Sequence, residues 1–352
     1  MLYLDANATR PMEPGAAEAL CRALSELPGN PHSPHQLGRK AAAAVEDARE
    51  RVAALVGRPA RQVRFTSGAT EANAWALQGL RRAAVERGGG PARVLCSAVE
   101  HPSVLCQADE RLPVDARGVI ELDAVEQALD RPGVAVLSVM AANNETGVLQ
   151  PLPELARLCR ERGIPFHCDA SQLPGRLDCA DLPADLLTLS AHKLGGPKGC
   201  GALIGARLPP PLLCGGPQER GDRAGTVAVP LVHSFGVATT LCRPLEDELQ
   251  RQLEAAAKEL GATVLGEGAP RLPNTSALLF DQPGDLIVMA LDLEGVCAST
   301  GAACASGAAE ESHVLRAMGL RGLPVRLSWQ RETPVLEVLP VLEAVLERLR
   351  SA

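Results

Sequence analysis

The sequence predicts an α/β fold: a mostly parallel sheet flanked by helices in a large domain, followed by a smaller α+β domain. Three observations point there. Short apolar runs alternate with longer helical patterns through the first two thirds of the chain, and such alternation marks a parallel sheet covered on both faces. From about Leu231 the alternation stops. Aromatics make up only 2% of the chain against 46% hydrophobic residues, which suits a core of aliphatic layers.

Taken in order, the buried strands are predicted at 93–97, 134–142, 166–169, 186–190 and 202–205, with a further one running into Ser67. Between them the helical pattern covers 36–56, 71–86, 122–129 and 152–162, the last closed by Gly163 and Pro165. Beyond the change of pattern come a helix over 246–260, a strand at 276–280, a helix near 286–293, a Gly/Ala/Ser-rich loop, and two more strands and helices. The boundary falls near Ser234. It gives a large domain over 12–234 and a small one over 235–352, to which 1–11 is assigned.

A chain of 352 residues has room for two packed domains. Its formal net charge is −7 with no long basic block, which argues against a dedicated nucleic-acid binder. The start, M-L-Y-L-D-A-N-A-T-R, lacks a basic region followed by an apolar one, and no apolar run reaches the length of a membrane span. The 11 cysteines are scattered without a C-x-x-C pair, so neither a disulfide framework nor a closed metal site is expected. A reducing cytoplasm is the expected location.

Several strands end in polar residues, and ligands of such sheets bind beyond strand carboxyl ends. The run L-L-T-L-S-A-H-K-L-G-G-P-K-G places Ser190, His192 and Lys193 at one of them. A lysine there suits service as a neutral amine, as in Schiff-base chemistry, although most lysines are simply solvated. In F-H-C-D-A-S-Q, Asp169 is placed to pair with a pyridinium nitrogen and Gln172 to donate to a phenolic oxygen, or Asp169 is merely a helix cap. In F-T-S-G-A-T-E-A-N, the backbone at Ala69 and the Thr70 hydroxyl form a phosphate cradle or a capping box. His101 in E-H-P-S-V-L suits ring stacking and proton transfer, and Asn144 in A-N-N-E-T-G suits a cofactor or substrate contact or a turn. Cys304 in S-T-G-A-A-C-A-S-G sits among small residues that leave a nucleophile accessible.

Together with L-Y-L-D-A-N-A-T, G-N-P-H-S-P-H-Q-L-G-R, E-R-G-D-R-A-G-T, H-V-L-R-A-M-G-L and V-R-L-S, these runs resemble, in order and over nearly the whole chain, the cysteine desulfurase family. These are class V aminotransferase-like enzymes of pyridoxal-phosphate fold type I. The resemblance implies that Lys193 holds pyridoxal 5'-phosphate, His101 stacks on its ring, and Asp169 and Gln172 bind the ring nitrogen and phenolic oxygen. It implies that Thr70, Ser190 and His192 hold the phosphate, with Thr226 from the partner subunit of a homodimer. Asn144 and Arg326 would bind the carboxylate of L-cysteine, and Cys304 would accept the sulfur. The implied reaction gives L-alanine and an enzyme persulfide. That persulfide would be passed to an acceptor or scaffold protein of iron–sulfur cluster assembly, or toward tRNA thiolation, without direct binding to nucleic acid or membrane.

Some positions depart from the family pattern. Gln218 stands where a histidine often precedes E-R-G. Ser299 is followed by Thr300, Gly301, Ala302 and Ala303 before Cys304, which replaces two serines of the family's S-S-G-S-A-C. Leu194 follows the lysine where an aromatic is usual. Since fold does not fix reaction, a selenocysteine lyase or another class V lyase is the alternative within the fold. A non-catalytic scaffold of the same fold is the alternative outside catalysis.

Overall fold

The computed structural model describes residues 1–88, 90–301 and 311–351. Its main sheet has seven strands: β2 (Val63–Thr66), β3 (Arg93–Ser97), β4 (Glu110–Leu112), β5 (Val134–Ser138), β6 (Phe166–Asp169), β7 (Leu186–Ser190) and β8 (Gly201–Gly205). They lie in the order β2-β8-β7-β6-β5-β3-β4, and only β8 runs antiparallel to its neighbours. From β2 the chain crosses the sheet through helix α3 (Ala69–Glu86) to β3 and β4 at the far edge, then returns strand by strand to β8. That crossing puts the N-terminus of α3 over the carboxyl ends of the parallel strands.

Helices α1 (Pro14–Glu26), α2 (Gln36–Leu55), α4 (Pro102–Leu105), α5 (Leu122–Leu129), α6 (Leu152–Glu161) and α7 (Val229–Leu241) complete this part. Its core joins Val52, Leu95, Leu137, Phe166 and Leu189, all essentially without exposure, to Phe235 and Ala238 of α7. Helix α7 therefore runs through Ser234 unbroken and is packed against α1 and α2. Residues on both sides of Ser234, Val232 and Phe235 among them, belong to this first core. The second core begins at Leu249.

This second core lies between the antiparallel sheet β12-β10-β9 and helices α8 (Glu248–Glu259), α9 (Gly284–Leu293) and α11 (Val338–Ser351). Its strands are β9 (Thr263–Val264), β10 (Thr275–Leu279) and β12 (Val325–Ser328). The N-terminal strand β1 (Leu2–Tyr3) pairs in parallel with β11 (Val296–Cys297), and Leu4 joins this core. After the Gly/Ala/Ser-rich segment the described residues hold one strand, β12, and not the two expected, with α10 (His313–Ala317) and α11. The regular part of β5 stops at Ser138, short of the predicted end at 142, because β3 ends beside it. Val139 and Ala141 still donate to the carbonyls of His167 and Asp169, so the chain follows β6 as far as the turn at Asn143. Among the described residues no helix is long and apolar enough to cross a membrane, and all ten cysteines are free.

Candidate active site

A cavity of about 790 Å³ opens at the carboxyl ends of the parallel strands. Each strand delivers its side chains within a few residues of its last ladder bond. After β7 a single tight turn, Ala191–Lys193, brings His192 and Lys193 to the cavity, with Ser190 buried beneath them. The Lys193 amine donates to the carbonyls of Asn7 (2.5 Å) and Ala8 (2.9 Å). Burial pushes it down to about 8, the Arg176 and Arg326 cations add to the shift, and Asp169 and Asp5 oppose it. A substantial neutral fraction near physiological pH makes this amine a nucleophile. His192 Nδ1 lies 3.2 Å from Thr9 Oγ1, and burial, with the charges of Lys193 and Lys198, pushes the ring down to about 4.

At the end of β6 the buried Asp169 is held on both oxygens. Asn73 Nδ2 donates to Oδ2 (2.8 Å), and the Ser171 amide donates to Oδ1 (3.0 Å). Gln172 Nε2 donates to Asn7 O (3.1 Å), while Gln172 Oε1 and Ser171 Oγ are buried with no partner in the chain. Beyond β3, His101 opens the short helix α4 as its N-cap: Nδ1 accepts from the Ser103 amide (3.1 Å) and lies 2.8 Å from Ser103 Oγ. Burial pushes its pKa down, Lys193 and His313 reinforcing and Asp169 opposing. Before it, the fully buried Glu100 accepts from the Met140 amide (2.5 Å), and burial with the nearby Asp169 pushes its carboxyl well up.

The α3 N-terminus supplies Ala69 and Thr70. Gly68 caps it at φ 156°, ψ 177°, a conformation open essentially to glycine. Gly201 of β8 passes so close that a Cβ there would meet Gly68 backbone at 2.7 Å. Two glycines thus let the sheet seat this turn, whose free N–H groups suit an anion. Glu71 accepts from the Ser67 amide and pairs with Arg223.

The opposite wall comes from the chain ends. Arg326, 1% exposed on β12, donates to Asp5 (2.5 Å), Asn144 O (3.0 Å) and Gly301 O (3.2 Å). Asn144 and Gly301 line the cavity, as do Glu311, Ser312 and His313.

The sequence profile of class-V aminotransferases matches residues 2–334. A cysteine desulfurase of Cereibacter sphaeroides is 40% identical over 99% of this chain and 97% of its own length. The chain belongs to the cysteine desulfurase family of class-V aminotransferases. Among solved structures, a NifS-like protein superposes with a TM-score of 0.89 at 29% identity, each chain fully covered. A structure described as SspA in complex with cysteine superposes at 0.83 with 31% identity, over 93% of this chain and 98% of the other.

In this family member the cavity gathers Ala69, Thr70, His101, Asn144, Asp169, Gln172, Ser190, His192, Lys193 and Arg326. Thr226 is exposed and stands apart from it. It follows a turn in which Glu219 and Arg220 adopt left-handed φ of 49° and 62°. The buried Glu219 carboxylate holds that turn by accepting from Arg49 and from the Phe65 amide. Cys304 lies outside the described residues, but both flanks of its segment, Gly301 and Glu311, line the cavity.

Sequence reasoning missed Asn7 and Arg176. Asn7 is fully buried and makes six contacts that join the walls. Its amide donates to Ser328 Oγ and its Nδ2 to Asn144 O and Thr275 Oγ1, while its carbonyl accepts from Gln172 and Lys193 and its Oδ1 from Arg176. The fully buried Arg176 donates to the carbonyls of Gln172, Lys193 and Ala6 and to Asn7 Oδ1, and burial pushes it down to about 9. The run L-D-A-N-A-T was the available signal for Asn7; Arg176 had none.

Proposed function

We propose that this protein is a pyridoxal-phosphate-dependent cysteine desulfurase, which removes sulfur from L-cysteine and gives L-alanine and a persulfide on Cys304. The observation that carries this reading is the Lys193 amine, buried and depressed to about 8 in a cavity it shares with Asp169, Gln172 and His101.

The residues present fit the cofactor. Ser171 Oγ and Gln172 Oε1 are buried polar atoms that a polar ligand would satisfy. The open space beside Gly68, where a Cβ would meet nothing within 4 Å, faces a helix N-terminus suited to phosphate. Thr70, Ser190 and His192 would hold that phosphate, with Thr226 of a second copy in a homodimer. Asp169 would pair with the ring nitrogen, Gln172 with the phenolic oxygen, and His101 would stack. When bound, pyridoxal phosphate supplies an electron sink for the pair released at the substrate carbon.

The chain's own residues do the rest. Lys193 provides the neutral amine and moves a proton at the substrate α-carbon. Arg326 and Asn144 orient the substrate carboxylate, a guanidinium fork matching a carboxylate bidentately. The Cys304 thiolate attacks the substrate sulfur. The sulfur then passes to an acceptor protein of iron–sulfur cluster assembly or tRNA thiolation in the cytoplasm.

The test is incubation with L-cysteine while alanine and protein-bound persulfide are measured together. Cys304→Ala is expected to keep the visible band of the bound cofactor and to lose alanine formation; full turnover by that variant sinks the persulfide role. Turnover of selenocysteine but not cysteine favours the lyase alternative. Colourless protein that takes up no added pyridoxal phosphate favours the scaffold.

A further inference from the structure

Arg176 has no part in the roles above, yet it is buried beneath the turns that carry them. Its Nη1 donates to the carbonyls of Gln172 (3.0 Å) and Lys193 (3.2 Å), which ties the turn after β6 to the turn after β7. Its Nη2 donates to Ala6 O (3.4 Å) and Asn7 Oδ1 (3.2 Å), and its Nε has no partner in the chain. Every one of these acceptors is neutral. The neighbouring guanidinium groups are matched by carboxylates, Arg326 by Asp5 (2.5 Å) and Arg10 by Glu13 (2.6 Å). Among the described residues Arg176 has no carboxylate partner. A buried cation without an anion is costly, and three carbonyls and an amide oxygen call for donors rather than for charge. A guanidinium pushed down to about 9 by burial is still charged at neutral pH.

We propose that Arg176 is a positioning residue, a fixed buried cation whose charge holds the Lys193 amine in its neutral, nucleophilic form. This rests on the reading of Lys193 as the amine that takes up the cofactor. Asn7 links the two groups: Lys193 Nζ donates to its carbonyl (2.5 Å) while Arg176 Nη2 donates to its Oδ1. Two cations bonded to one asparagine lie within about 10 Å of each other. At about that distance and an effective dielectric of about 20, a unit charge moves a neighbouring amine by about one pH unit. Burial supplies the larger part of the depression of Lys193 to about 8, and Arg176 is the foremost of the charges that add to it. The charged and titratable groups facing Lys193 are Asp169 from β6, His101 from beyond β3, His192 from its own turn, Asp5 from beyond β1, Arg326 from β12, and Arg176. The two carboxylates oppose Arg176, but Asp5 is engaged by Arg326, and Asp169 by Asn73 and the Ser171 amide. Around Arg176 itself stand Arg10, Cys179 and Cys242. Burial pushes these thiols up to about 12 and about 11, so neither gives Arg176 an anion.

Three variants separate charge from hydrogen bonding. Arg176→Met removes both, Arg176→Gln keeps an N–H donor without the charge, and Arg176→Lys keeps the charge. Full-length protein freed of cofactor is pulse-labelled with acetic anhydride from about pH 6 to 11, and acetylation of Lys193 is read on its peptide by mass spectrometry. Protection of the buried Cys168 from iodoacetamide in the same samples reports that the sheet is intact; where the Met variant loses that protection, the Gln variant carries the comparison. The labelling midpoint is expected near about 8 in the wild type and the Lys variant, and about one pH unit higher in the Met and Gln variants. Uptake of pyridoxal phosphate at pH 7 is expected to slow about tenfold in the two neutral variants and to recover to the wild-type rate near about pH 10. A midpoint unchanged in a folded neutral variant, or raised equally in the Lys variant, overturns the assignment. A wild type that labels near about pH 8 but makes no alanine from L-cysteine refutes the desulfurase reading instead, and the labelling midpoints still decide Arg176.

Discussion

The two walls of the cavity are built on different principles. The sheet wall takes its groups from the residues just after a parallel strand: Lys193 after β7, Asp169 at the end of β6, His101 after β3 and Thr70 after β2. The ladder of the sheet sets their spacing. The facing wall joins Asn7, Gly301, His313 and Arg326, which lie at opposite ends of the chain and are held by polar bonds to backbone carbonyls. The Lys193 amine of the first wall is expected to be lost at little cost in stability, and the bonds of the second wall are expected to matter to the fold.

Substitutions should separate the two. Lys193→Ala is expected to lower alanine formation by at least about 10³-fold and to abolish the cofactor band, with the urea midpoint held or raised, since a buried amine is removed. A large drop in that midpoint would erase the distinction. On the other wall, Asn7→Ala deprives Arg176 of an acceptor and Thr275 of a donor, and should cost about 2–4 kcal/mol in urea unfolding. Asp5→Asn leaves the buried Arg326 without its anion, which is expected to cost about 2 kcal/mol of stability and to change KM for L-cysteine more than kcat. Ser312→Ala removes the bond to Glu145 and the cap of α10, for about 1 kcal/mol.

The pH dependence sharpens the first wall. With its pKa at about 8, Lys193 is expected to take up pyridoxal phosphate about tenfold faster per pH unit below that value and to level off above it, measured as appearance of the visible band in apoprotein. A rate still climbing tenfold per unit beyond pH 9 would mean an ordinary lysine. The stability sign follows from linkage. A lysine depressed in the folded state binds fewer protons there than when unfolded, so its cost is full below pH 8 and relieved as pH rises from 8 toward 10.5.

The same contrast explains what could be read beforehand. Asp169, Gln172 and Lys193 were legible because an apolar run followed by a polar turn marks both a strand end and a crevice. Helix α7 was not, since it is wedged between α1 and α2 and buries residues around most of its circumference, leaving no amphipathic period to read. Asn7 and Arg176 escaped because their partners are tens to hundreds of residues away, and nothing local distinguishes a buried asparagine hub from a turn. Arg326 was assigned to the substrate, and the structure adds that Asp5 holds it from the side of β1. The departure at Gln218 has a local role: its Oε1 accepts from the Gly225 amide (3.1 Å), next to Thr226.

Asn7 also bears on the order in which the protein is made. The residue that receives the Lys193 amine on its carbonyl is made 321 residues before Ser328, which seats its own amide, and its strand, β1, is seated by β11. At about 5–20 residues per second, tens of seconds of synthesis separate the hub from its socket. The nascent chain can complete its main sheet while the lysine is still unplaced, so competence for the cofactor arrives only once β11 and β12 have been made.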